Sequence, residues 1–332
     1  MKTGMLAMAV LLCGMCSACA QLGKVTVKVT GVDGVPIPGA NVSAGFSTPK
    51  TPGWGWGAGP DRVYTGMTDT NGICVLSGHG DGGSVWVKAG KDGFYRSKGY
   101  KIIFTNVTWG LGRRWQPWNP TFDVVLKKVG NPIPMYARRL IDLRLPTLGE
   151  DIGYDLMAGD WTPPHGKGET ADLVFRFDRE ECEPVTRYRQ TIYPVNDTLT
   201  VTFPNPGDGL FFVSVPKYGS SVLRLEGPAP ETGYVPVLEK HQWHSPGRMD
   251  MDDDANYYLR VRTKLDEKGN VVSALYGKIY GDIMFADGKD LTFTYFLNPT
   301  PNDRNVEFDP DRNLFGPPFS WETWCEGGVF VP

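Results

Sequence analysis

Few side chains in this sequence stand at spacings that chemistry requires, and each such group has a plainer reading beside it. His241-Gln242-Trp243-His244 sets two imidazoles three positions apart. On a helical turn they could share a transition metal, but Pro246-Gly247 follows and no helical pattern surrounds them, so they read as loop histidines. Asp250-Met251-Asp252-Asp253-Asp254-Ala255-Asn256 puts oxygen side chains at every second position. Asp250, Asp252, Asp254 and Asn256 are therefore candidate ligands of a structural calcium, and no other cofactor is indicated. Against that, Ala255 stands where a calcium loop needs its turn glycine and Val261 where it needs a bidentate Glu, which leaves a solvated acidic loop as the alternative. His165-Gly166-Lys167-Gly168-Glu169 has the glycines and lysine of a phosphate cradle. It leads into a strand pattern and not a helix N-terminus, and reads as a hairpin loop. No GxSxG elbow occurs and no Cys is placed as a nucleophile. Asp155, Asp160, Glu180 and Glu181 could serve a glycosidase, whose all-β forms draw their carboxylates from distant strands that sequence alone does not bring together.

Aromatic loops offer binding chemistry. Trp54-Gly55-Trp56-Gly57 and Trp109-Gly110-Leu111-Gly112-Arg113-Arg114-Trp115-Gln116-Pro117-Trp118 hold half of the chain's 10 tryptophans. Trp54, Trp56, Trp109, Trp115 and Trp118 are candidate contacts for a glycan or a protein, since an indole gives flat area and a directional N–H. The competing expectation is that these rings are buried against the second domain. Of 6 cysteines, Cys13, Cys16 and Cys19 fall near the N-terminus, leaving Cys74, Cys182 and Cys325. A Cys182–Cys325 bridge would close a long loop, worth on the order of 4–5 kcal/mol by the chain-entropy argument. Free thiols are the alternative.

Residues 1–20 follow the charge, apolar run and small-residue order of an export signal: Lys2, then Met5 to Met15, then Ser17-Ala18-Cys19-Ala20. Cleavage after Ala20 would release a soluble chain from Gln21. The segment Cys16-Ser17-Ala18-Cys19 also resembles a lipobox, in which Cys19 would be acylated and anchored. Cys16 stands where Leu, Val or Ile is usual, so soluble export leads. No later apolar run is long enough for a transmembrane helix. With 34 Lys+Arg against 37 Asp+Glu and a net charge of −3, the chain carries no basic field for nucleic acid.

The elements that position these groups are strands. Hydrophobic content of 41%, 41 Gly and 27 Pro describe a globular, turn-rich chain with little room for long helices. Val25, Val27 and Val29 alternate with Thr26, Lys28 and Thr30; Ala40, Val42 and Ala44 repeat the period of two. Further strands are expected over 61–67, 83–89, 99–107 and 121–129, about six or seven in all, which argues for a sandwich.

Gly31-Val32-Asp33-Gly34-Val35-Pro36-Ile37-Pro38-Gly39-Ala40-Asn41-Val42 resembles the opening of carboxypeptidase regulatory-like domains. These are transthyretin-like β-sandwich modules of exported bacterial proteins. Thr68-Asp69-Thr70-Asn71-Gly72, Lys91-Asp92-Gly93-Phe94-Tyr95 and Val124-Val125-Leu126-Lys127-Lys128 agree with it. The resemblance covers about residues 23–129 and implies architecture. It does not imply peptidase chemistry, because no HxxE zinc motif is present and His165 reaches Glu169 at the wrong interval.

The expected organisation is a signal peptide (1–20), the regulatory-like sandwich (21–129), a Pro-punctuated linker (130–148) and an all-β domain of no recognised family (149–332). In the second half, 135–145 reads as a strand or one short helix. Strands follow over 171–177, 187–192, 199–203, 209–215 and 221–225, then a meander over 256–265, 270–285 and 290–297. The whole is an all-β chain of two β-sandwich-type domains, a transthyretin/Ig-like sandwich followed by a larger sandwich or jelly roll. The expected function is non-enzymatic binding or structure in the envelope or outside the cell, with a glycan or envelope protein as partner. A secreted carbohydrate-active hydrolase is the alternative.

Overall fold

The computed structural model describes residues 21–48, 61–80, 83–97, 99–108, 113–187, 190–243, 248–286 and 290–316. The export segment with Cys19, and Trp54, Trp56, Trp109, His244 and Cys325, lie outside them. The chain is all-β: no helix occurs among the described residues. It divides into two compact units, one of residues 21–30, 34–89 and 99–123, the other of 31–33, 90–98 and 124 onward.

The smaller unit is a sandwich of a three-stranded and a four-stranded sheet. Gln21–Thr30 is the middle strand of the first, paired with Ile73–Gly80; in the second, Asn41–Phe46 lies beside Arg62–Met67 and Ser84–Gly90. Val25, Val27, Val29, Val42, Ala44, Val85 and Val87 are fully buried, as their period of two requires. The sequence signposts meet in space. Thr68 Oγ1 donates to Ile37 O (2.7 Å) and accepts from Ala40 N (2.8 Å), tying the Pro-Ile-Pro-Gly-Ala loop to the Asp69–Gly72 turn. Gly72 sits at φ 72°, and a Cβ there would come within 2.4 Å of Val29 O, so no other residue type fits this turn without displacing the strand.

The larger unit is also a sandwich. One sheet runs Gly209–Ser214, Ala255–Leu265, Val271–Ile279, Asp290–Leu297, Ile133–Arg144, Phe308–Asn313, with Met284–Ala286 beside Asp290–Leu297. The facing sheet runs Asp160–Trp161, Ile152–Asp155, Leu173–Glu181, Val195–Thr202, Val237–Trp243, Arg248–Met249. Tyr154, Phe175, Phe177, Leu199 and Val201 of one sheet and Leu259, Val261, Phe293 and Tyr295 of the other belong to one apolar cluster between the sheets.

One open alternative closes and two expectations change. Residues 133–144 form a strand, bent where its register shifts between Leu140 and Leu143, with Asp142 at φ 52°. Segment 221–225 forms no strand, only a bridge from Ser221 to Ser97. Conversely, Val237–Trp243 is a strand that lacks the alternating pattern, because Lys240 occupies an inward position held by an ion pair. His241 therefore stands on a strand.

Candidate functional site

Two polar constellations are built inside the larger unit, and a pocket opens beside one of them. The first is centred on Arg262, at φ 55° where the register of its strand shifts between Val261 and Lys264. Its Nε and Nη2 donate to both oxygens of Asp172 (2.8 and 2.9 Å), and Nη2 also to Asp155 Oδ1 (2.9 Å). Asp155, one of the carboxylates considered for glycosidase chemistry, also accepts four backbone N–H bonds, from Met157, Ala158, Glu169 and Thr170. Burial pushes its pKa up, but these N–H donors and the Arg262 charge hold it below the usual carboxylate range. Asp172 is more deeply buried, and burial raises its pKa in spite of Arg262. Every accepting site of Asp155 is engaged in folding the chain, which leaves a structural knot and not a reactive carboxylate. Asp160 is likewise committed, to Trp161 N and Lys167 N, while Glu180 and Glu181 are exposed on the Leu173–Glu181 strand.

The second constellation is Lys240, Asp282 and Tyr257. Lys240 Nζ lies 2.7 Å from Asp282 Oδ2, and the Tyr257 hydroxyl donates to Oδ1 (2.9 Å). Asp252 N and Ile283 N donate to the same carboxylate. Burial, then the Asp282 charge, pushes the Tyr257 pKa well above its ordinary value, so the phenol is a fixed donor. A pocket of about 330 Å³ opens beside Lys240 and Tyr257 of this triad, floored by Leu210, Phe212, Val235 and Leu238 and rimmed by Asp250 and Asp252.

The pocket exists because the two sheets part at this edge. Gly209–Ser214 ends the first sheet, and its outer side is covered at Leu210, which exchanges both backbone hydrogen bonds with Val235 (3.0 and 2.9 Å). Two residues later the same chain enters the other sheet as Val237–Trp243, whose outer side is covered, among the described residues, only at its far end by Arg248–Met249. Phe212 occupies the inward face, edge-on to Tyr257 at 5.7 Å between ring centroids, yet is 52% exposed. An aromatic ring on a core-facing position left half uncovered marks an open mouth in the sandwich.

The structure brings Asp250 and Asp252 of the candidate calcium set to this rim and sends the other two elsewhere. Asp254 Oδ1 accepts from Lys217 N (2.7 Å), and the fully buried Asn256 accepts from Gly281 N and Arg224 Nη1. Asp252 Oδ1 accepts from Asp254 N and Asp250 Oδ2 from His241 N. These oxygens face N–H donors, a poor fit to a cation, and no three His, Cys, Asp or Glu side chains converge as a metal site among the described residues. Trp115 stacks on Phe104 (5.5 Å, 13° between planes) and donates Nε1–H to Gly80 O (2.6 Å) inside the smaller unit; Trp118 is half-buried beneath the Arg114 guanidinium at 4.7 Å. Cys182 is half-buried, and Cys74 is buried with its thiol pKa pushed up, first by that burial.

Lys240, Tyr257, Asp282, Glu239 and Phe212 were not singled out by sequence. The one available signal was a lysine where the strand's inner face required an apolar residue. No family model and no curated protein matches the chain. Among solved structures it is similar to a shaft pilin of Lactobacillus rhamnosus GG, with 12% identity over 86% of this chain and 94% of that one, at a TM-score of 0.21. It is similar also to the major pilin subunit BcpA of Bacillus cereus, with 10% identity over 86% of this chain and all of that one, at a TM-score of 0.24. At such TM-scores neither superposition bears on what this chain does. No helix among the described residues is long and apolar enough to cross a membrane.

Proposed function

We propose that the chain is an exported binding or structural protein of the cell envelope or exterior, and that the pocket between Gly209–Ser214 and Val237–Trp243 is its ligand site. One observation carries this: the half-exposed Phe212 on a core-facing position, part of an apolar floor beside the hydrogen-bonded Lys240 and Tyr257 and bordered by Asp250 and Asp252. Such a site combines apolar area with a few oriented polar groups, as ligand pockets do. The charge, apolar and small-residue order of residues 1–20 supports export. The regulatory-like reading of residues 23–129 is supported by the contact between its two signature segments at Thr68, and it assigns the smaller unit an accessory role.

The test is a ligand screen by NMR on the mature protein with peptide and glycan libraries, repeated on Phe212→Ala. Shifts at Phe212 and Tyr257 that vanish in the variant are the expected result. Binding that persists unchanged in the variant would move the site elsewhere. A hydrolase reading draws on the two carboxylates Asp250 and Asp252 that border the pocket. It requires release of reducing ends from a polysaccharide panel, lost in both Asp250→Asn and Asp252→Asn.

A further inference from the structure

We propose that the occupant of this pocket is an extended polypeptide segment of a partner protein, which adds a strand to the outer edge of Val237–Trp243 and seats a Lys or Arg side chain over Phe212. The proposal rests on the pocket being the binding site and names what enters it.

Three features point to the same occupant. The first is the unfinished ladder. His241 N and O face away from the neighbouring Val195–Thr202 strand, since His241 O accepts from Asp250 N (2.8 Å) and His241 N donates to the Asp250 side chain. Backbone groups alternate sides along an antiparallel strand, so those of Val237 and Glu239 face the same open edge. No backbone partner meets them there among the described residues. On the facing sheet, Leu210 bonds outward to Val235, so Phe212 and Ser214 by the same alternation also present N–H and C=O away from Ala255–Leu265 without a backbone partner among the described residues. A row of ladder groups beside a cleft is complementary to a polypeptide backbone in particular.

The second feature is which side chains the cleft accepts. A strand added at Val237 and Glu239 would turn alternate side chains inward, toward Leu238, Phe212 and Tyr257. The third is charge. The rim holds Asp250 and Asp252, while the single cation among the lining residues, Lys240, is already paired to Asp282 at 2.7 Å. An apolar floor under an anionic rim matches a side chain with an aliphatic stem and a cationic tip.

The probe is the capped peptide Thr-Val-Thr-Lys-Thr-Val-Thr, titrated into the mature protein by NMR with amide hydrogen exchange. The expected result is binding with new protection at Val237 and Glu239. Replacing the central Lys by norleucine should weaken it at least tenfold, as should N-methylation at alternate peptide nitrogens. Affinity should fall as salt rises, and the Asp250→Asn/Asp252→Asn double variant should lose the preference for Lys over norleucine. Equal binding of a central-Glu peptide, or binding without protection at Val237 and Glu239, overturns the proposal. Concentration-dependent dimerisation that protects the same amides without peptide also overturns it, by assigning the edge to a second copy. A glycan that shifts Phe212 and Tyr257 when no peptide does would sink the polypeptide occupant and keep the pocket; silence from every library sinks both.

Discussion

Lys278 sets burial against charge more sharply than any other described side chain. It is 1% exposed, its Nζ lies 4.8 Å from the centre of the Phe296 ring, and it takes no hydrogen bond among the described residues. Burial lowers its pKa to about 7, with the Glu307 charge raising it and Lys127 lowering it further. Between that value and the ordinary lysine pKa of about 10.4, the unfolded chain binds a proton that the folded one has released, so stability rises with pH across the window. The cost of burying Lys278 is complete below pH 7 and relieved toward pH 10. Lys278→Met should therefore raise stability by a few kcal/mol at pH 7 and by much less at pH 10, measured by denaturant melts at both. An equal gain at the two pH values would show that the ammonium is not the source. Arg262 is the opposite case. Arg262→Gln leaves Asp155 and Asp172 without their cation and should cost about 3–5 kcal/mol near neutral pH. Asp155 has a depressed folded pKa, so its contribution is present above the ordinary carboxylate pKa and lost as pH falls through the folded value. The variant's deficit should accordingly persist from pH 7 down to about pH 4 and shrink only below it, in the same melts.

At the scale of elements, the divergence of two strands after one bridge makes the pocket. Gly209 permits that bridge, because a Cβ at this position would come within 2.5 Å of Val235 O. Gly209→Val should separate Val235 from Leu210, lower stability by about 1–3 kcal/mol, and remove the amide protection of Leu210 and Val235 in hydrogen exchange. Retained protection at both positions would mean the bridge tolerates the side chain. The Val237–Trp243 strand was not legible because its inner face carries Leu238, Lys240 and Gln242 in place of an apolar series. Lys240 reaches Asp282, which is 42 residues away in sequence, and no local pattern encodes such a partner. The Ser221–Leu225 expectation failed from the other side. Apolar alternation predicts burial, and Val222, Leu223 and Leu225 are buried, but as a loop held by side chains and single bonds.

For the whole molecule, export is the property that sequence argues most directly. Expressed in a bacterium with residues 1–20 intact, the mature protein should be soluble and begin at Gln21, read by intact mass and N-terminal sequencing. A diacylglyceryl mass on a chain beginning at Cys19 would instead make it a lipoprotein. The two units carry separate apolar cores, with Val25, Val27, Val42 and Val85 in one and Leu259, Phe175 and Tyr295 in the other. The division does not follow the chain in one pass. Residues 90–98 belong with the larger unit, where Phe94 and Tyr95 pair with Lys127 and Lys128 and the Tyr95 hydroxyl donates to Glu307 (2.7 Å).

By itself the sequence determined the all-β class, the sandwich in the first hundred residues and most strands. Alternation, Gly and Asn turns and β-branched runs act between neighbouring residues and need no distant partner to be read. It also determined the acidic run at Asp250–Asp254 without saying what the run does. Tertiary structure alone decided that Asp250 and Asp252 border a pocket while Asp254 and Asn256 bind backbone amides. It gave Asp155 to Arg262 and Trp115 to Phe104, and left Phe212 uncovered. Most of these are settled by partners distant in sequence, 107 residues apart for Asp155 and Arg262, where packing and desolvation act on the assembled sheets and leave no mark in local spacing.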